Sequence, residues 1–115
     1  MEVVISGRHL DVTEDMRDEI TKRFRAVFRI FPSVIRHVRV IIESDTFLYR
    51  LEALLDLTTQ KTMTGTVQNK DFHVAVRALE TKLCAQLRRL KERIESHHKR
   101  FRTPRKLKTA RTRLS

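Results

Sequence analysis

The chain has 115 residues, with 25 Lys/Arg against 14 Asp/Glu and 40% hydrophobic residues. That is the length of one domain with enough apolar content for a real core, which excludes wholesale disorder. Its longest apolar clusters, such as Val40–Ile42, fall far short of the ~18 residues a membrane span needs.

The basic excess is unevenly placed. Met1–Leu87 holds 13 Lys/Arg against 12 Asp/Glu, a net of +1, whereas Arg88–Ser115 holds 12 against 2, a net of +10. A basic segment of this kind points to a polyanionic partner, because Lys and Arg displace counterions from phosphates. The N-terminus carries no apolar signal stretch, since Val3–Ile5 is followed at once by Ser6, Arg8 and His9. Cys84 is the single cysteine and allows no internal disulfide, which fits a reducing, cytoplasmic compartment.

In chain order, Glu2–Ser6 reads as a short strand ending at Gly7. Thr13 is a good N-cap, and Glu14, Asp15, Asp18 and Glu19 suit the positive end of a helix dipole. This helix runs to about Ile30, with Met16, Ile20, Phe24, Val27 and Phe31 at helical spacing, and Pro32 ends it. Val34–Glu43 alternates, with Val38, Val40 and Ile42 on one face and His37, Arg39 and Ile41 on the other. After a turn at Ser44–Thr46, Tyr49–Thr58 alternates again, placing Leu51, Ala53, Leu55 and Leu57 together. Residues 59–61 read as a turn and Thr62–Gln68 as a fourth strand, with Met63, Gly65 and Val67 inward. Asp71 then caps a long helix from about Phe72 to His98.

The order is β-α-β-β-β-α over residues 1–98. It predicts a two-layer α+β domain, a four-stranded sheet with two helices on one face. Residues 99–115 hold eight Lys/Arg, Pro104 and no apolar periodicity. They are expected to form a basic tail, disordered on its own.

On the last helix, Phe72, Val76, Leu79, Leu83, Leu87, Leu90 and Ile94 fall within about 80° of arc and form the core stripe. Lys82, Arg89, Arg93 and Arg100 share one flank, with Gln86 beside them. The opposite flank mixes Arg77, Glu80, Arg88, Lys91 and Glu95. On the first helix, Lys22, Arg25 and Arg29 cluster on the outer face, and Arg23 lies nearer the core boundary. Two such ridges over one sheet would frame a cationic groove for RNA phosphates. The plainer reading is that basic residues late in a helix favour its negative end and a soluble helix needs a charged face.

Little points to catalysis, a cofactor or a small-molecule substrate. Gly7 and Gly65 are isolated, so there is no glycine-rich phosphate loop. Cys84 reads as a buried thiol rather than a nucleophile. His97 and His98 are adjacent, about 100° apart on a helix, and cannot clamp a metal as an i, i+4 pair can. Among the aromatics, Phe24, Phe28, Phe31, Phe72 and Tyr49 fit the core, and Phe47 and Phe101 stay open as base-stacking groups.

Gly7-x-x-x-Asp11-Val12-Thr13-x-x-Met16-Arg17 resembles the start of the ribosome hibernation-promoting factor family, also called the ribosome-associated inhibitor or sigma-54 modulation family. So do Asp71-Phe72-His73-x-Ala75-Val76 and Lys82-Leu83-x-x-Gln86-Leu87 followed by Lys91. The resemblance covers about residues 1–98. It implies a double-stranded-RNA-binding-like fold and a protein that occupies the mRNA and tRNA channel of the small ribosomal subunit under stress or in stationary phase. Arg17, Arg23, Arg29, Lys82 and Arg89 match basic positions that contact rRNA in that family. Ala85 stands where a basic residue is common, and His73 where Tyr is usual. Nothing resembles the C-terminal dimerisation domain of long family members, so a short form is implied.

The expected rRNA contacts are therefore Arg17, Lys22, Arg23, Arg25 and Arg29 on the first helix and Lys82, Gln86, Arg89, Lys91 and Arg93 on the last. Lys99, Arg100 and Arg102 extend them into the tail. Two alternatives stay open: a general RNA- or DNA-binding protein of this fold, and a protein–protein transcription modulator of the sigma-54 type.

Overall fold

The structure, a computed structural model, describes residues 3–59 and 61–107, with 97–107 described as backbone alone. The elements are β1 (Val3–Arg8), α1 (Glu14–Ile30), β2 (Ile35–Ser44), β3 (Tyr49–Leu57), β4 (Thr62–Asn69) and α2 (Phe72–Leu107). The sheet order is β1-β2-β3-β4. β1 runs parallel to β2, with α1 as the crossover, and β2, β3 and β4 form an antiparallel meander. The expected two-layer α+β architecture is the one found.

The caps act as the sequence predicts. The Thr13 hydroxyl accepts from the Met16 amide at 3.2 Å. The Asp71 carboxylate accepts from the His73 and Val74 amides at 2.9 and 3.3 Å. Each satisfies helix-end donors that would otherwise lack partners. The core takes Ile20, Phe24 and Val27 from α1 and Val76, Leu79, Leu83 and Leu87 from α2 against Val38, Val40, Ile42, Leu51, Ala53 and Leu55 of the sheet, all buried.

Three details depart from the sequence reading. Ile35 is buried although strict alternation would place it with His37 and Arg39. A register irregularity between Ile35 and His37 reverses the phase, as a bulge does. Val34, read as the strand's first residue, closes a 3-10 turn over Pro32–Val34 instead. The third departure is the length of α2. It continues past the expected end at His98 to Leu107. Lys and Arg are good helix formers and suit the negative helix end, so this run extends the helix readily. Pro104 sits in the last turn and lacks the N–H that would continue the ladder there. Residues 108–115, the rest of the expected tail, lie outside the described residues.

Gly65 sets the distance between the layers where α2 crosses β4. A Cβ there would stand 3.1 Å from Leu83 Cδ2 and 3.4 Å from Leu79 Cδ1, so any larger residue requires those leucine side chains to give by a few tenths of an ångström.

Candidate nucleic-acid interface

The core stripe of α2 fixes where its two flanks point. The flank carrying Lys82 and Gln86 turns toward β4, the last strand of the meander and an edge of the sheet. Lys82 Nζ donates to the Thr66 carbonyl at 3.0 Å, and Gln86 Nε2 donates to the Thr64 carbonyl at 3.2 Å. An edge strand presents unpaired backbone groups that invite another strand, and these two side chains occupy two of its acceptors. Arg89 and Arg93 continue the row, both exposed. Lys82, Arg89 and Arg93 have no carboxylate within ion-pair distance among the described residues.

The opposite flank of α2 packs against α1, where two carboxylates hold one cation, Arg23. Arg23 Nε lies 3.3 Å from Glu19 Oε2, and its Nη1 lies 3.5 Å from Glu80 Oε1. Arg23 thus clasps the two helices together. Glu19 also stands 3.7 Å from His73 Nδ1, a pair that is ionic only when the imidazole is protonated. Cys84 is buried nearby. Burial pushes its thiol up from the ordinary value, Glu80 adds to the shift, and Arg88 opposes it. A thiol held in that direction is a poor nucleophile at neutral pH.

The expected contact residues therefore separate. Lys82, Gln86, Arg89 and Arg93 come together along the β4 edge. Lys22, Arg25 and Arg29 form an exposed row on the outer face of α1. Arg17 is exposed in the first turns of the same helix. Arg23 does not join them, because two carboxylates hold it at the helix seam. Lys91 is half-buried, and helical geometry puts it on the α1-facing flank. The side chains of Lys99, Arg100 and Arg102 lie outside the described residues. The two basic rows do not face each other across an inter-helix groove, as the sequence suggested. The seam between the helices is filled by Arg23, Glu19 and Glu80, and the acid-free flank of α2 looks away from α1.

Lys61 is a residue that the sequence reading missed. By sequence it is only part of a turn, yet it joins Arg93 on the rim of a groove between the start of β4 and α2. The open face of the sheet is different again. There Glu43 stands between Arg8 and Arg50, 3.9 Å from each, at adjacent positions of the strand register. Of the aromatics left open, Phe47 is 78% exposed at the β2–β3 turn, and Phe101 lies outside the described side chains. Tyr49 packs edge-on against Phe72 with ring centroids 5.6 Å apart, as the core reading expects.

Among the described residues, no three His, Cys, Asp or Glu gather in a way that would hold a metal ion. No described helix is long and apolar enough to cross a membrane.

The model of the family described as sigma 54 modulation protein / S30EA ribosomal protein matches residues 3–95. The chain is 31% identical over 96 residues to the ribosome hibernation promoting factor of Pseudomonas putida, covering 84% of this chain and 92% of that one. Its fold resembles the N-terminal domain of Thermus thermophilus Protein Y, with a TM-score of 0.70 and 21% identity over 78% of this chain and 99% of that one. It also resembles a ribosomal subunit interface protein from Coxiella burnetii, with a TM-score of 0.71 and 21% identity over 80% and 99% of the two chains.

Proposed function

The chain belongs to the sigma 54 modulation protein / S30EA ribosomal protein family, and on that footing we propose that it is a ribosome-associated hibernation factor. It works by occupancy, without chemistry of its own. It seats on small-subunit rRNA in the cytoplasm and fills the channel that mRNA and tRNA use. The observation that carries this reading is the row of Lys82, Arg89 and Arg93 along one helix flank, with no carboxylate within ion-pair distance among the described residues. Fixed cations along a rigid helix suit phosphates held at defined positions, which is how a protein reads RNA by shape and backbone. The Pseudomonas putida relative, named a ribosome hibernation promoting factor, supports the same assignment.

The test is sedimentation of ribosomes with added protein, together with in-vitro translation. The protein should travel with intact small subunits, and translation should fall as it is added. Its association should weaken steeply with salt, because log affinity drops by about 0.7–0.9 per phosphate contact for each tenfold rise in salt. Binding that survives both nuclease treatment and high salt would favour a protein–protein modulator instead. Binding to any RNA without loss of translation would reduce the reading to a general RNA-binding protein.

A further inference from the structure

At the C-terminal end of the basic row, the start of β4 and the later turns of α2 part to leave a groove of about 780 Å³. Its floor is apolar, from Leu57, Met63, Leu90 and Ile94, and its rim carries Lys61 and Arg93. Among the described residues, no acidic one lines it. The volume lies in the range that holds one small ligand, roughly 300–1,000 Å³, with mostly apolar walls and a few polar groups to orient it.

The strand supplies those polar groups. Since Thr64 and Thr66 turn their carbonyls to the open edge, strand alternation turns the backbone groups of Thr62 the same way. Gln86 occupies the Thr64 carbonyl, and the same alternation turns the amides of Thr62 and Thr64 to the open edge.

We propose that this groove receives one unstacked nucleotide of a single-stranded RNA segment, its base between Met63 and the Leu90–Ile94 wall and its phosphate on Arg93 and Lys61. The inference rests on the RNA-binding reading above and adds a site to it. A nucleobase has two apolar faces and a polar edge, which matches an apolar slot bordered by strand amides. Its phosphate requires cations at the rim, which Arg93 and Lys61 supply; the Asp56 carboxylate lies outside the lining and accepts from the Thr62 hydroxyl at 3.3 Å. The row from Lys82 to Arg93 spans about 16 Å of helix, enough for neighbouring phosphates of the same strand. An acidic peptide would share the charge but not this repeated spacing along the helix.

The test compares a single-stranded oligoribonucleotide, a blunt RNA duplex of the same length and an acidic amphipathic peptide, each titrated against the whole chain. Methyl NMR follows Met63, Leu90 and Ile94, and binding to small subunits is measured in parallel. The single strand should shift those methyl signals. Ile94→Trp, which fills the slot, and Met63→Ala, which removes one wall, should each weaken single-strand binding about tenfold, in keeping with the loss of one buried apolar contact. Duplex affinity should stay within about twofold, and thermal melting checks that both variants fold. If the single strand binds without moving those methyls, or both variants bind it normally, the groove proposal is overturned while the RNA reading stands. Methyl shifts with the peptide alone also overturn it. Failure of both RNAs and of small subunits to bind overturns the two readings together.

Discussion

The two flanks of α2 are built from the same residue types and differ in what they face. Toward α1, Glu80 meets Arg23, and Glu19 lies within reach of both Arg23 and His73. The Arg23 charge there is used inside the fold. Toward the β4 edge, Lys82 and Gln86 meet only backbone carbonyls, and Arg89 and Arg93 meet no carboxylate among the described residues. A carbonyl carries a dipole rather than a net charge, so this flank keeps its full positive potential. Counting cations along a helix does not say how many a polyanion can use. The neighbouring element decides it.

The largest effect on this contrast should come from moving the helix itself. Gly65→Val puts side-chain atoms where Leu83 and Leu79 already stand, and Leu83 Cδ2 lies only 3.1 Å from a Cβ at that site. It should cost about 1–3 kcal/mol, read by denaturant melts, and lift the β4-facing flank off its strand. Arg93→Ala should leave stability alone and lower the salt slope of RNA binding by about one. Arg23→Ala should show the reverse pattern. Stability should fall by about 0.2–1 kcal/mol because its ion pairs are partly exposed, and RNA affinity should stay unchanged. Gln86→Ala should be smaller still, under about 1 kcal/mol for one exposed hydrogen bond. Freeing the Thr64 carbonyl should also raise concentration-dependent association through the open strand edge, visible by light scattering. Finally, Cys84 should resist alkylation in the folded protein and react on unfolding, since burial holds its thiol protonated.

Much of this was legible in the residues. The caps at Thr13 and Asp71, the stop at Pro32 and the alternation of Val38, Val40 and Ile42 are local signals. Local signals place elements well. The phase reversal at Ile35 was not legible, because a bulge needs only one extra residue and leaves no composition mark. The roles of Lys82 and Gln86 depended on β4 being an edge, which follows from pairing rather than from any single segment. Arg23 read as near the core boundary, which was correct. Its second partner, Glu80, lies 57 residues along the chain on another helix, and no periodicity links the two. Lys61 was hidden in a turn for the same reason.

On the proposed function, the placement of charge rather than net charge governs RNA binding. Two triple variants test it with equal loss of charge: Lys82→Glu, Arg89→Glu and Arg93→Glu on the β4-facing flank, and Arg77→Glu, Arg88→Glu and Lys91→Glu on the α1-facing flank. Affinity for small subunits is measured for both across a salt series. The first triple should abolish binding at physiological salt and flatten the salt dependence by three contacts or more. The second should retain most of the affinity and slope of the unaltered protein. Equal losses in the two variants would contradict the account.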